Sequence, residues 1–125
     1  KDLITRIPGL LQLVELDDAA DTLGGKLSSG MQKRLDIACS LIHDPKVLIL
    51  DEPTEDLDPI LRREINDLLK KINKEKNVTM IVTSHLLAEM EDLCDRVAIL
   101  HNHQTLHHFR RKTCNTFTAP YFCIK

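Results

Sequence analysis

Four consecutive apolar residues, Val47-Leu48-Ile49-Leu50, run directly into two carboxylates, Asp51 and Glu52, and then into Pro53. A run this short suits a strand buried on both faces, as in a parallel sheet. In open α/β sheets, ligands bind outside the carboxyl ends of the strands. An acid pair at such a place is costly to bury unless something uses it. An aspartate can hold Mg²⁺ through an oxygen, and a following glutamate can take a proton from water. The same residues also read as a strand end carrying two solvated acids.

The surrounding pattern predicts what that strand packs against. Residues 2–16 read helical, with Leu10, Leu11 and Val14 on one stripe and a start at Pro8. Residues 30–43 predict an amphipathic helix with Met31, Leu35, Ala38, Cys39 and Ile42 on one face, stopped by Pro45. Past the Pro53–Pro59 loop, Asp58 is placed to cap a helix and Pro59 to begin it. That helix is expected to reach Asn73, with Leu61, Ile65, Leu68, Leu69 and Ile72 inward, before a turn over Lys74–Asn77. A second strand is expected over Val78–Thr83, a short helix over Leu86–Cys94 and a third strand over Val97–Leu100. Strand, helix, strand, helix, strand predicts an α/β fold with a parallel sheet.

Two further stretches can carry chemistry. Leu27-Ser28-Ser29-Gly30-Met31-Gln32 opens a helix with free backbone N–H groups at the positive end of its dipole, which suits a phosphate. It also reads as an ordinary helix cap formed by Ser28 or Ser29. His85 directly follows a strand, where an imidazole can meet a phosphate or a reacting water. It also reads as a strand-end residue without such a task.

In this order, LSSGM, a helix, VLILDEPT, EDLD and a strand ending TSH resemble the C-terminal half of an ABC-transporter nucleotide-binding domain, over roughly residues 8–102. LSSGM stands where the family has its LSGGQ signature, and VLILDE where it has the Walker B strand. Glu55-Asp56-Leu57-Asp58 stands at the D-loop and His85 at the switch histidine. Met31 in the signature is similar to ATPases of ABC-2-type exporters. The resemblance implies a P-loop NTPase-like sheet, represented by its Walker B half, with part of the ABC helical subdomain. Residues 1–46 would belong to the helical subdomain, 47–102 to the ATPase core, and 103–125 to a divergent tail.

The same resemblance implies roles. Asp51 would hold Mg²⁺ through a water, Glu52 would polarise the attacking water, and His85 would contact the γ-phosphate of ATP. Asp58 would couple the two sites of a dimer of nucleotide-binding domains. Ser28, Ser29 and Gly30 would face ATP bound on the opposite subunit, with Ser29 crowding a position that is usually glycine. A transmembrane transporter subunit is the implied partner, with the chain lying in the cytoplasm against the inner face of the membrane. Phosphoryl transfer fits such a division of labour, since it needs positioning and charge stabilisation more than covalent help.

No GxxxxGK[ST] occurs in the sequence; Gly25-Lys26 is followed by Leu27. With Lys at position 1, the chain is expected to begin inside a longer one, as part of a domain that binds MgATP poorly alone. The strands Val47–Leu50 and Val78–Thr83 would then expose apolar faces and edges. The alternatives are a non-hydrolysing regulatory or relic half-domain that lends its signature to another subunit, or an ABC ATPase outside transport.

Charge divides the chain near residue 100. All 19 acids precede it, against 13 Lys and Arg, whereas the last 25 residues hold Arg110, Arg111, Lys112 and Lys125 and no acid. The net charge of −2 gives no general attraction to nucleic acid, and none is expected as a partner. No apolar run is long enough to cross a bilayer as a helix. His101, His103, His107, His108, Cys114 and Cys123 match no zinc spacing. The tail is therefore expected to be divergent or frame-shifted, and disordered or loosely packed. The four cysteines form no CxxC pair, and free thiols are expected.

Overall fold

The computed structural model describes the backbone of residues 3–101, 104–110 and 121–124, and the side chains of residues 3–86 and 88–98. A 3-10 turn over Ile4–Arg6 leads into α1 (Ile7–Leu13), where Pro8 occupies the first turn, a position that needs no N–H donor. α2 spans Ser29–Leu41, capped by Ser28, whose hydroxyl accepts from the Met31 N–H at 3.3 Å. β1 (Val47–Asp51), α3 (Pro59–Lys76), β2 (Thr79–Ser84), α4 (Leu87–Leu93) and β3 (Arg96–His101) follow in the expected order.

Asp58 starts α3 as its sequence position predicts: Oδ1 accepts from the N–H groups of Ile60 at 2.9 Å and Leu61 at 3.1 Å. The helix runs one turn beyond the expected end at Asn73. Lys74 and Lys76 sit in its last turn, favourable against the negative end of the helix dipole, and left-handed Asn77 (φ 50°) ends it. Ile65, Leu68, Leu69 and Ile72 form its buried stripe.

The sheet order is β1-β2-β5-β3-β4, with β4 at Gln104–Arg110 and β5 at Tyr121–Ile124. β1 and β2 pair in parallel, Val47 opposite Thr79 through Asp51 opposite Thr83. This is the expected α/β fold with a parallel strand pair, and antiparallel strands are added beyond it. β5 runs antiparallel to both β2 and β3 and stands between them, and β4 pairs antiparallel with β3. β2 and β3 therefore still point the same way. The end segment, expected to be disordered or loosely packed, contributes β4 and β5.

One cluster of buried side chains takes in both helices and sheet: Leu10, Leu13, Val14, Ile37, Ala38 and Leu41 meet Leu48, Ile65, Leu69, Met80, Val82 and Val97. β1 is covered on one face only. Leu48 is buried, but Val47 is 51% and Ile49 69% exposed, which corrects the reading of a strand buried on both faces. The exposed apolar face expected of the two strands is present on β1, whereas β2 stands between β1 and β5 with Met80 and Val82 buried.

Arg34 of α2 ties the helices together. Its guanidinium donates to the Val14 carbonyl (3.2 Å), Glu15 Oε2 (2.6 Å) and Glu64 Oε2 (3.1 Å), linking the end of α1 to α3. Lys70 of α3 donates to Asp92 of α4 at 2.5 Å, a bond that raises the pKa of its ammonium group. Cys39 is a free, exposed thiol, whereas buried Cys94 is disulfide-bonded, a departure from the expectation of free thiols. Among the described residues no helix is long and apolar enough to cross a membrane.

Candidate functional site

Parallel pairing of β1 with β2 brings both carboxyl ends to one edge. Asp51 is opposite Thr83, so the residues that follow, Glu52 on one strand and Ser84-His85 on the other, leave the sheet side by side. Glu52 takes a left-handed conformation, φ 44°. Few non-glycine residues adopt it, and such strained positions are held by the structure around them. Here the Glu52 N–H donates to Thr83 Oγ1 at 3.0 Å, and the Thr83 hydroxyl donates to Asp51 Oδ1. One threonine thus fixes the Glu52 backbone and the Asp51 carboxylate together.

The Glu52 side chain reaches across to β2. His85 Nδ1 lies 3.1 Å from Oε1 and 3.1 Å from Oε2. The carboxylate is three-quarters buried and the imidazole about half exposed, so the pair faces solvent from the histidine side. A carboxylate held this way can accept a proton from a water, and a protonated imidazole can donate to an anion.

The loop that follows is also fixed. The Glu55 N–H donates to the Glu52 carbonyl (3.1 Å), and buried Thr54 donates through its hydroxyl to Glu89 Oε2 of α4 (2.7 Å). Asp58, at the end of this loop, has its carboxylate committed to the α3 cap while staying exposed.

The structure therefore gathers Asp51, Glu52 and His85 into one hydrogen-bonded group, with Asp58 six residues on from Glu52. Ser28, Ser29 and Gly30 stand elsewhere, at the start of α2. Ser28 and Ser29 are exposed there, and Ser28 Oγ serves as the helix cap. Gly30 is buried against α3: a Cβ on it would stand 3.1 Å from Leu61 Cδ2. That contact gives the glycine a packing reason of its own, separate from any ligand.

Sequence reading missed Thr83 and Glu89. The only local signal for Thr83 is its place in the Thr83-Ser84-His85 strand end; its partners are 31 and 32 residues away. Glu89 reads as one more exposed helix acid until its partner Thr54, 35 residues away, is known.

Among the described residues no group of three or more His, Cys, Asp or Glu could hold a metal ion alone. The exposed Asp51 carboxylate is a group that could take part in holding Mg²⁺, which is commonly bound by one or two carboxylates with waters and substrate phosphates.

The protein-family model described as ABC transporter matches residues 4–55. YhcH of Bacillus subtilis (strain 168), an ABC transporter ATP-binding protein, is 53% identical over 95 residues, 76% of this chain and 31% of YhcH. The bacitracin transport ATP-binding protein BcrA of Bacillus licheniformis is 45% identical over 100 residues, 80% of this chain and 33% of BcrA. The solved structure of CbiO1 from Clostridium perfringens, part of the ABC transporter complex CbiONQ, superposes with a TM-score of 0.82 at 34% identity. The match covers 86% of this chain and 43% of CbiO1. The chain spans about a third of the length of the curated relatives it matches.

Proposed function

The chain belongs to the ABC transporter family, and from that premise we propose that it forms the water-activating part of an ATP site in a transporter's ATP-binding subunit. The observation that carries this reading is the Asp51–Thr83–Glu52–His85 group at the carboxyl ends of two adjacent parallel strands.

Each residue has a distinct task in it. Asp51 would hold Mg²⁺ through a water, and the ion would supply neutralisation of developing phosphate charge. Glu52 orients the attacking water and accepts its proton. His85 keeps the Glu52 carboxylate in place and offers a donor to the γ-phosphate. Thr83 sets the positions of Asp51 and Glu52 before any ligand arrives, which is the preorganisation that phosphoryl transfer rewards. Ser28 and Gly30, at the N-terminus of a 13-residue helix, contact the γ-phosphate of ATP held by a second nucleotide-binding domain. Asp58 links the two sites of that dimer. The transmembrane partner binds on the cytoplasmic side, and hydrolysis there drives transport.

The phosphate cradle comes from a segment outside these 125 residues, since the sequence holds no GxxxxGK[ST]. Exposed Val47 and Ile49 support the same reading, because neighbouring strands and helices of a complete domain would cover them. Titration calorimetry tests it. MgATP is expected to give no saturable heat with this chain alone, and saturable binding once a polypeptide carrying the P-loop half is added. Tight, Mg-dependent binding by the chain alone contradicts the proposal.

A further inference from the structure

Behind the Glu52–His85 contact, the same two segments are joined a second time. Thr54 Oγ1 donates to Glu89 Oε2 at 2.7 Å, and Glu89 Oε1 lies 3.6 Å from Arg62 Nη1. Arg62 Nε donates to the Leu57 carbonyl at 2.7 Å, and the Leu57 N–H points back to the Thr54 carbonyl at 3.4 Å. The contacts close a ring through the loop after β1, α4 and α3. Thr54 is 2% exposed and the Glu89 side chain 16%, so water competes weakly for these bonds.

The ring sits close to the chemistry on both sides. The Glu89 N–H donates to the carbonyl of Leu86, the residue after His85, at 3.1 Å. Thr54 is two residues after Glu52, and Asp58 ends the same loop. We propose that Glu89 is a positioning residue of the ATP site, fastening the loop 53–58 to the start of α4 so that the two move as one block. The inference rests on the ATP-site reading above. Its consequence is a division of motion. The exposed His85 imidazole can swing from Glu52 towards a phosphate, releasing the carboxylate to water, while the Thr54–Glu89 rung keeps Asp58 and the strand ends in register. Without Glu89, the same swing would let the loop drift, and Glu52 would lose its aim rather than ATP its grip.

Two measurements test this. The first is amide hydrogen exchange on the chain itself. Glu89→Ala and Thr54→Val are each expected to speed exchange by about tenfold at Glu55 and Leu57 in the loop and also at Glu89 and Met90 in α4, leaving Ile37 in α2 unchanged. Glu89→Gln, which keeps an oxygen for Thr54, is expected to stay within about threefold of the unsubstituted chain. Acceleration confined to the segment that carries the substitution overturns the proposal. If Glu89→Ala prevents folding, Thr54→Val and Glu89→Gln decide it from opposite ends of the rung. The second is turnover with the P-loop half supplied in trans. Glu89→Ala is expected to lower kcat about tenfold with KM for ATP within about threefold when turnover is counted per folded molecule, the folded fraction being read by circular dichroism, a normalisation that removes the fall plain loss of stability would give. Unchanged kcat overturns the positioning role. Absence of turnover even in the unsubstituted chain counts against the ATP-site reading instead, and the exchange result then decides the fastening alone.

Discussion

His85 Nδ1 stands 3.1 Å from each carboxylate oxygen of Glu52, although 33 residues separate the two in sequence. The parallel register of β1 and β2 makes this contact, and α3 is the crossover between the two strands, with Ile65, Leu69 and Ile72 packed into the core. The candidate chemistry therefore depends on a helix that contributes no side chain to it.

Truncating a core residue of that helix should weaken the fold that carries the site. Ile72 is 0% exposed in the main core cluster. Ile72→Ala is expected to cost about 2–5 kcal/mol, a large part of the stability of a domain this size. Urea denaturation followed by circular dichroism measures it, and a cost below about 1 kcal/mol contradicts the packing described.

The start of α3 gives a smaller, sharper test. Asp58 accepts two backbone N–H groups, so Asp58→Ala should cost about 0.5–2 kcal/mol, whereas Asp58→Ser, which can still cap, should recover most of it. The same denaturation experiment separates this cost from any effect on dimer coupling.

Gly30 should tolerate alanine but not a branched side chain. The added Cβ in Gly30→Ala meets the flexible end of Leu61 at 3.1 Å, a crowding that the helix preference of alanine over glycine, below its interior value of about 1 kcal/mol in this first turn, should offset in part. Gly30→Val has no such compensation and should lose about 1–3 kcal/mol. The pair of unfolding midpoints distinguishes helix packing from ligand contact as the reason for glycine here.

The uncovered face of β1 predicts a solubility effect. Ile49 is 69% exposed, so Ile49→Thr should leave the stability of this chain within about 0.5 kcal/mol and reduce its self-association, read by sedimentation. In a longer protein that covers this face, the same substitution should destabilise by the cost of a buried polar group, about 1–3 kcal/mol.

The helices and the parallel pair β1 and β2 were legible because each has a local cause. The stripe Ile65-Leu68-Leu69-Ile72 and the Asp58-Pro59 start announce α3, and the apolar run announces β1. That the acids at the end of β1 and the histidine after β2 come together was legible because strand ends are short and fixed in position. β4 and β5 were not, since nothing local marks them. Gln104–Arg110 carries two histidines where a strand reader looks for apolar alternation, no glycine marks a turn before it, and β5 owes its place to pairing with β2 and β3 far back in the chain. One-sided burial of β1 was equally hidden: Val47 and Ile49 read as core residues whether or not a neighbour covers them. Thr83 and Glu89 act through partners on other elements, and a single sequence carries no trace of such pairs.

In the proposed function Glu52, held by His85 and Thr83, activates water for ATP hydrolysis. The most direct measurement is phosphate release from MgATP by this chain together with a polypeptide supplying the P-loop half, comparing Glu52 with Glu52→Gln. The substitution keeps size and hydrogen bonding but removes the base. Turnover should fall by about 10²–10⁴-fold while ATP binding persists. Hydrolysis that proceeds equally well with Glu52→Gln would contradict the assignment.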